Sequence, residues 1–381
     1  MAPLSQEETD ALVNKVFRAL SETSYACSSL KHLTNGTTNF VFRGELIQPI
    51  REERSENIVT TVIVKHSLEH AALNKNLPID TSRASGVAGV KAPRLHLFIR
   101  DINIQVLEDF PAAVDLKSLF VSPTGNSILT ASVATSVGHG IGSWLRSFHD
   151  WSMSSNAKLG YVGNNEPMRK LKYTITYDSH LKVLENNFPD LLEGHRAALE
   201  QVKDAATKEF EKASKDGDED KNWGLIHGDF WTGNVLLRGD PSPTDAQHPG
   251  GPKLFIVDWE FTQFGHRAYD IGQMIGDIYE RWHFWEADGA LPAIEGFIDG
   301  YGGLEADDLA FRIAIHAGVQ LIGWYIRRAP NSPLRFPLEK VTDAMRIGRD
   351  WIEKGWQKDR TYFESTPMAA LFKRETGSGK P

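Results

Sequence analysis

The chain has 381 residues, of which 41% are hydrophobic and 24% charged, and its formal net charge is −8. This length exceeds what one compact core usually holds and predicts two lobes or domains. The balance of 42 basic against 50 acidic residues argues against a nucleic-acid binder, which would carry a basic excess. A single cysteine, Cys27, excludes an intrachain disulfide. No apolar run approaches the roughly 20 residues that cross a bilayer, and the polar N-terminus lacks a signal pattern. We therefore expect a cytoplasmic protein with no membrane partner.

The N-terminal part of the sequence predicts one helix followed by a small sheet. Residues 7–20 carry apolar side chains at helical spacing. Three strand-like runs follow, at residues 38–46, 58–65 and 102–107. A mostly antiparallel sheet is the simplest assembly of these runs.

Helical patterns dominate from about residue 115 onwards. The expected helical regions are 134–151, 177–213 and 270–355, and the short apolar strands are 224–226, 235–237 and 254–257. Charged or Pro- and Gly-rich stretches at 214–221 and 239–253 predict exposed loops. This organisation is α+β, with an N-terminal lobe over residues 1–110, a helical lobe over 111–363 and a flexible tail over 364–381.

The strongest local signal lies in residues 225–237, where one apolar strand ends at His227 and a second begins after Asn234. Between them, Asp229 can accept a proton from a hydroxyl or orient that hydroxyl for attack, and Asn234 has a side-chain oxygen suited to Mg²⁺. The Asp-x-x-x-x-Asn spacing is typical of the catalytic loop of kinases, with Gly228 in place of the usual arginine. A plain turn capped by Asp229 is the alternative for the first three residues alone.

Other candidate residues lie before and after this loop. Asp258 ends a buried strand, where a carboxylate is costly to ionise unless a cation such as Mg²⁺ pairs with it. Glu260 can supply a further metal oxygen or act as an ion-pair partner. Asn35 and Gly36 form a turn whose N–H groups can cover phosphates, although Asn-Gly is also a common turn signal. Lys65, at a strand end, can hold the α- and β-phosphates.

In these motifs the sequence resembles the aminoglycoside phosphotransferase/choline kinase family, over roughly residues 30–330. The methylthioribose-kinase-like and fungal small-amine-kinase-like branches are the most similar. The motifs that carry the resemblance are His227-Gly228-Asp229…Asn234, Asp258-Trp259-Glu260 and Gly265…Asp270-Ile271-Gly272.

The resemblance implies a two-lobed protein-kinase-like fold with a small antiparallel-sheet N-lobe and a larger helical C-lobe. It implies Asp229 as the base, Asn234 and Asp258 as Mg²⁺ ligands, Lys65 as a phosphate contact and Asp270 as a carboxylate that supports the loop. Residues 105–110 would be the hinge whose backbone contacts adenine; this set comprises Gln105, Leu107 and Asp109.

The predicted function is a kinase that uses ATP and Mg²⁺ to phosphorylate a hydroxyl of a small sugar-like or amino-alcohol acceptor. A pseudokinase that binds nucleotide without catalysis is the alternative. In the family a helix after the lysine strand carries a glutamate that pairs with the lysine, whereas here the nearby acid is Glu69 and residues 78–89 are too rich in Gly and Ser for a helix. A metal-dependent hydrolase is the third hypothesis, with a ligand set of His227, Asp229, Asp258 and His266.

Several charged residues of the helical part allow two interpretations each. Asp277 and Glu280 can face an amine substrate or form a solvated helix face. Arg327 and Arg328 can contact an anionic substrate or simply end a helix, where cations favour the dipole. The helix end is the simpler interpretation for this arginine pair.

Overall fold

The computed structural model describes residues 6–33, 39–51, 58–67, 90–153, 165–211, 221–238, 253–304, 306–327 and 332–373. Helices occupy most of the later ranges and strands most of the earlier ones. The α-helices in these ranges are α1 (Gln6–Ser21), α2 (Leu116–Val121), α3 (Pro123–Ile128), α4 (Ala131–Met153), α5 (Glu166–Ile175), α6 (Tyr177–Asn187), α7 (Arg196–Glu211), α8 (Ala268–Trp285), α9 (Ala290–Tyr301), α10 (Asp307–Gly323), α11 (Leu338–Trp356) and α12 (Arg360–Phe363).

The strands of the described ranges form three sheets. They are β1 (Cys27–Leu33), β2 (Asn39–Arg51), β3 (Ile58–Ser67), β4 (Val90–Lys91), β5 (Leu95–Ile99), β6 (Ile104–Glu108), β7 (Ala113–Asp115), β8 (Trp223–Ile226), β9 (Val235–Arg238), β10 (Leu254–Ile256) and β11 (Gln263–His266). The sheet orders are β1-β2-β3-β6-β5, β4-β10-β9-β7 and β11-β8.

The chain divides into two compact units, and the first holds α1 with the five-stranded sheet. All strand pairs of this sheet are antiparallel, as predicted. Burial alternates along β3, where Val62 and Val64 are fully buried and Lys65 is half-buried. Val16 and Leu20 of α1 join the same core, so α1 covers one face of the sheet.

Two strands of the first sheet were not predicted from the sequence. β1 alternates poorly, with exposed or half-buried side chains at all positions after Cys27. β5 has no fully buried residue, so neither strand shows a clear period of two. The predicted helix over 7–20 and the predicted strand at 58–65 are confirmed by α1 and β3.

The second unit is mainly helical, and α8 lies at its centre. Nearly every residue of α8 is buried, and it packs against α9 and α10, while α10 also packs against α11. The predicted single helical region over 177–213 is two helices, α6 and α7, because a 3-10 turn at Pro189–Leu192 separates them. The segment Asp307–Arg327 is long and apolar enough to cross a membrane by composition, and 78% of its most apolar window is buried within the structure.

The C-terminal segment was expected to be a frayed tail from residue 364, and the structure contradicts this for residues 364–373. Met368, Leu371 and Phe372 are buried in the large core, and Arg360 donates a hydrogen bond to the carbonyl of Phe372. These apolar side chains join the core of the second unit. Residues 374–381 lie outside the described part of the chain.

α4 and α9 pack so closely that their backbones touch. A Cβ atom at Gly142 would lie 2.1 Å from the backbone oxygen of Phe297, and one at Gly138 would lie 2.2 Å from that of Ala293. No side chain fits at these positions, because the obstructing atoms belong to a helix backbone that cannot rotate away.

We expect Gly142→Ala to lower the free energy of unfolding by about 1–3 kcal/mol, because the added methyl overpacks this contact. Gly140→Ala on the same helix is the control, since its Cβ would meet only the Cδ1 atom of Leu254, at 3.3 Å. That change should shift the unfolding free energy by less than about 1 kcal/mol. Urea denaturation of both variants tests the contact; equal effects would contradict it.

Candidate active site

Two loops of the second unit are held side by side by paired strands. The first loop, residues 227–234, joins β8 to β9, and the second, residues 257–262, joins β10 to β11. β8 pairs with β11 and β9 pairs with β10, so each loop is anchored at both ends to strands of the other. The backbone N–H of Val257 also donates to the backbone carbonyl of Asn234, at 3.0 Å. Asn234 and Asp258 are therefore neighbours.

Asp229 lies in the first loop with both carboxylate oxygens hydrogen-bonded. Oδ1 accepts from Nε2 of Gln273 at 2.7 Å, and Oδ2 accepts from Nε1 of Trp231 and Nδ2 of Asn234, both at 3.1 Å. Three donors hold the half-buried carboxylate in one orientation. A carboxylate with two oxygens offers about four lone-pair directions, so acceptor capacity remains for a substrate hydroxyl.

The Asn234 amide is oriented by the same network. Its Nδ2 donates to the backbone carbonyl of Asp229 at 2.9 Å as well as to the carboxylate, which leaves Oδ1 directed elsewhere. Among the described residues Oδ1 accepts no hydrogen bond. An amide oxygen with that freedom suits a hard cation.

Side chains on one face of α8 hold the first loop through hydrogen bonds. Asp270 accepts hydrogen bonds from the backbone N–H groups of His227, at 2.7 Å, and Gly228, at 2.9 Å. One turn later Gln273 contacts Asp229, and a further turn on Asp277 accepts from both the backbone N–H and the hydroxyl of Thr232. The expectation that Asp270 supports the loop is confirmed. Positions 270, 273 and 277 share one helix face because of the 3.6-residue repeat.

Asp270 is a fully buried carboxylate whose charge is balanced locally. Nε2 of His149 lies 3.2 Å from its Oδ2, and Nδ1 of the same ring contacts the Tyr301 hydroxyl at 2.9 Å. Burial alone would raise the pKa of Asp270, but the hydrogen bonds from His149 and from the His227 backbone hold that pKa below its usual range. The carboxylate therefore stays ionised and keeps accepting the two backbone N–H groups.

His227 is a structural residue and not a metal ligand. Its Nε2 donates to the Val257 carbonyl at 3.0 Å, and its Nδ1 accepts from the backbone N–H of Asp229 at 3.3 Å. Burial lowers the pKa of the ring, which keeps it neutral. With both nitrogens engaged it cannot serve the zinc set of the hydrolase hypothesis. In the described ranges no three His, Cys, Asp or Glu side chains gather into a metal-binding group.

The second loop contains a strained residue at the predicted metal position. Asp258 has φ 67° and ψ 58°, the left-handed region that few residues other than glycine adopt. Such strain costs of order 1–3 kcal/mol and tends to persist at functional sites. Glu260 follows in a 3-10 turn, where its backbone carbonyl accepts from Nδ2 of Asn165 at 3.2 Å.

Trp231 lies beside Asp229 and between two cations. Its indole N–H contacts the carboxylate, while Lys117 Nζ lies 5.2 Å and Arg327 Cζ 6.0 Å from its ring. Aromatic rings attract cations at these distances. The half-exposed Trp231 therefore belongs to the immediate surroundings of Asp229.

The proposal that Asp277 and Glu280 form a solvated face is wrong, because both are buried and paired with arginines. Arg281 contacts Asp277 at 2.7 Å and Glu280 at 3.0 Å, and the more exposed Arg327 lies 3.6 Å and 3.5 Å from the same two carboxylates. Burial raises the pKa of Glu280. Arg327 therefore does more than end a helix, while Arg328 lies outside the described residues.

The predicted nucleotide residues of the first unit lie on adjacent strands. Lys65 of β3 pairs with Gln105 of β6, and Ile63 pairs with Leu107, so these side chains share the sheet face opposite α1. β6 lies between β3 and β5, so the backbone of Gln105 and Leu107 lies in the hydrogen-bonded ladders with these two strands. The chain leaves the sheet at Asp109, whose carboxylate pairs with Arg43 at 2.9 Å.

Three other predicted residues cannot be located. Asn35, Gly36 and Glu69 lie outside the described residues, as does the stretch 78–89 on which the pseudokinase hypothesis depends.

The sequence did not identify Gln273 or Trp231 as contacts of Asp229. Gln273 lies 44 residues after Asp229, and nothing in the local pattern links them. The available signal is the spacing from Asp270, since i, i+3 and i+7 positions share a helix face.

An α+β fold with a buttressed His-Gly-Asp…Asn loop and a following metal-type carboxylate is the arrangement of phosphotransferases that act on hydroxyl groups. A family model described as "Phosphotransferase enzyme family" matches residues 88–312, more than half of the chain. The protein belongs to this family and is a kinase that acts on an alcohol group.

The chain is also similar to several individual proteins. The phosphotransferase FrzJ of Cladobotryum sp is 29% identical over 97% of this chain and 98% of its own length. The 4-hydroxytryptamine kinase of Psilocybe cyanescens is 22% identical over 67% of this chain and 68% of its own. A solved choline/ethanolamine kinase family protein from Mesorhizobium loti covers 95% of this chain and 98% of its own, at 16% identity and a TM-score of 0.46.

Gly228 is required by its backbone, with φ +80° and a position where a Cβ would lie 2.2 Å from the Phe261 carbonyl oxygen. We expect Gly228→Ala to abolish phosphoryl transfer, because the loop must shift and carry Asp229 with it. The control is Gly194→Ala, with φ +78° and no atom within 4 Å of the added methyl.

The control should lose only about 1–2 kcal/mol of stability from the left-handed strain and retain its turnover. Turnover assays combined with urea denaturation make this comparison. If Gly228→Ala behaves like Gly194→Ala in both measurements, the close contact does not constrain the loop.

Proposed function

We propose that this protein transfers the γ-phosphoryl group of Mg·ATP to a hydroxyl of a small metabolite, with Asp229 as the base and Asn234 and Asp258 as magnesium ligands. The observation that carries the proposal is the direct hydrogen bond between Asp229 and Asn234, at 3.1 Å, together with the Val257–Asn234 backbone bond. These contacts put three oxygen-bearing side chains on two adjoining loops.

Asp229 acts by position as much as by basicity. Its three donors fix one rotamer, so a hydroxyl that binds it is aligned without further ordering. As the acceptor oxygen bonds to the γ-phosphorus, the bond to the β-phosphate oxygen breaks, ADP leaves, and the hydroxyl proton passes to Asp229.

The residues present fit Mg²⁺. This ion prefers oxygen ligands, keeps several waters, and needs only one or two carboxylate or amide oxygens from the protein. Asn234 Oδ1 and the Asp258 carboxylate provide these, and Glu260 is proposed to add a third oxygen, directly or through water. Mg²⁺ bound there would neutralise charge on the β- and γ-phosphates.

The nucleotide is proposed to contact Lys65, Gln105, Leu107 and Asp109, with Asn35 and Gly36 over the phosphates. The shared sheet face of Lys65 and Gln105 supports this assignment. In this scheme residues 1–110 form the nucleotide-binding lobe and residues 111–363 the catalytic lobe.

The acceptor is proposed to be a sugar-like compound or an amino-alcohol. The relative named for 4-hydroxytryptamine, a hydroxylated amine, supports the second class. Trp231, whose indole N–H donates to the Asp229 carboxylate at 3.1 Å, provides an aromatic ring beside the proposed base.

The first test combines an acceptor panel with Asp229→Ala. With Mg·ATP and sugars, amino-alcohols and hydroxylated aromatic amines, wild type should phosphorylate one class, and Asp229→Ala should turn over on the order of 100- to 10,000-fold more slowly. Asp178→Ala, which removes a half-buried carboxylate of α6 paired with Lys182 and Lys203, should retain full activity.

A thermal-shift titration with a non-hydrolysable ATP analogue separates the alternatives. Nucleotide binding without phosphoryl transfer to any acceptor would favour the pseudokinase. Full activity of Asp229→Ala would instead remove Asp229 from the reaction.

A second test uses the backbone strain at Asp258. Asp258→Gly should raise the free energy of unfolding by about 1 kcal/mol, because glycine adopts φ 67° without cost, while turnover is lost with the metal ligand. Lys358→Gly is the control: this exposed residue has φ 55°, so a similar gain in stability should leave turnover unchanged. Unchanged activity of Asp258→Gly would contradict the metal assignment.

A further inference from the structure

A buried lysine lies behind the base. Lys172 of α5 is 1% exposed, and its ammonium donates to Oε1 of Gln273. Nε2 of Gln273 in turn donates to Oδ1 of Asp229 at 2.7 Å. The chain of contacts runs from a buried cation through one amide to the proposed catalytic carboxylate. Among the described residues Gln273 is the only hydrogen-bond partner of the Lys172 ammonium.

The chemistry of the three groups fixes the direction of both hydrogen bonds. An ammonium only donates, an ionised carboxylate only accepts, and an amide does each at a different end. Lys172 therefore holds Gln273 with its oxygen turned away from Asp229 and its nitrogen towards it. Without the ammonium, the amide can rotate and present its oxygen to the carboxylate, which repels the base from its position.

Stability does not account for this lysine. An ammonium removed from water loses its hydration, and a single neutral hydrogen-bond partner does not restore it. The carboxylates that face Lys172 are Asp229 and Asp270, while Arg327 and His316 lie on the unfavourable side. A buried methionine of similar length would pack there without that cost.

We propose that Lys172 is a positioning residue, which acts through Gln273 to hold Asp229 in the orientation that receives the acceptor proton, and that its positive charge is required for this. The proposal rests on Asp229 being the base.

The charge requirement gives a pH signature. Burial, offset in part by Asp229 and Asp270 and reinforced by Arg327, lowers the pKa of Lys172 to about 8. The lysine is then charged below this pH and neutral above it. The kcat of the wild type should accordingly fall as the pH rises through about 8.

The experiment compares Lys172→Met, Lys172→Arg, Gln273→Met and the double variant Lys172→Met/Gln273→Met. Lys172→Met should lower kcat on the order of 10- to 100-fold, as for a small misplacement of a catalytic group, with nucleotide KM unchanged and melting temperature equal to or above wild type. Its kcat should no longer decline near pH 8. Lys172→Arg, charged at every accessible pH, should recover part of the rate and also lose the decline.

The double variant tests whether the lysine acts through the amide. Its kcat should be no lower than that of Gln273→Met alone, because both substitutions break the same chain of hydrogen bonds from Lys172 through Gln273 to Asp229.

Arg169→Met is the matched control. Arg169 is a buried cation on the same helix, and it donates to the Phe210 carbonyl rather than toward the loop. That variant should keep the wild-type kcat and pH profile.

Three results, each combined with an inactive Asp229→Ala variant, would overturn the proposed role of Lys172. They are an unchanged kcat in Lys172→Met, additive losses in the double variant, and a wild-type profile that stays flat through pH 8. If Lys172→Met does not fold, the pH profile, Lys172→Arg and Gln273→Met still decide. Full activity of Asp229→Ala would instead remove the proposed function on which the inference rests.

Discussion

Everything in the candidate site depends on hydrogen bonds between one face of the buried helix α8 and the loop that follows β8. Asp270 binds two backbone N–H groups of this loop, and Asp277 binds Thr232 near its other end. These acceptors replace water for donors that would otherwise be buried without partners, which costs about 1–3 kcal/mol per group. The rigid helix α8 thus sets the conformation of the loop, and the loop in turn fixes the position of the Asp229 side chain.

The buried charges around this helix are balanced in different ways. Asp270 relies on His149 and on backbone donors, whereas Asp277 relies mainly on Arg281. Buried pairs of this kind contribute little net stability, since desolvation consumes most of the attraction. Their role is to define geometry: removing one partner leaves an uncompensated charge, so each pair specifies the position of the other. Lys172 differs from Asp277 because its hydrogen-bond partner is a neutral amide and not an opposite charge.

Much of the organisation could be predicted from the sequence, because it depends on local patterns of residues. The α+β class, the helix α1, the strand β3 and the loop with Asp229 and Asn234 all follow from periodicity and motif spacing. The short or edge strands β1 and β5 could not be predicted, since pairing rather than alternation defines them.

The contacts that orient Asp229 could not be predicted from the sequence either. Helix packing brings Gln273 into contact with Asp229, which is 44 residues away in the sequence. It also brings Lys172 into contact with Gln273, which is 101 residues away. The burial of Asp277 and Glu280 could not be predicted either, because charged residues on a helix are exposed in most proteins. Only the fold reveals that nearly all of this helix is buried.

Trp231 has two duties that are difficult to separate. Its indole N–H donates to the Asp229 carboxylate, while Lys117 and Arg327 both lie close to its ring. Under the proposed function, replacing Trp231 would change the surroundings of the acceptor and the orientation of Asp229 together. Replacing Lys117 or Arg327 would instead change the charge near the ring and leave the hydrogen bond to Asp229 in place, so these two positions allow the acceptor preference to vary at a smaller loss of rate.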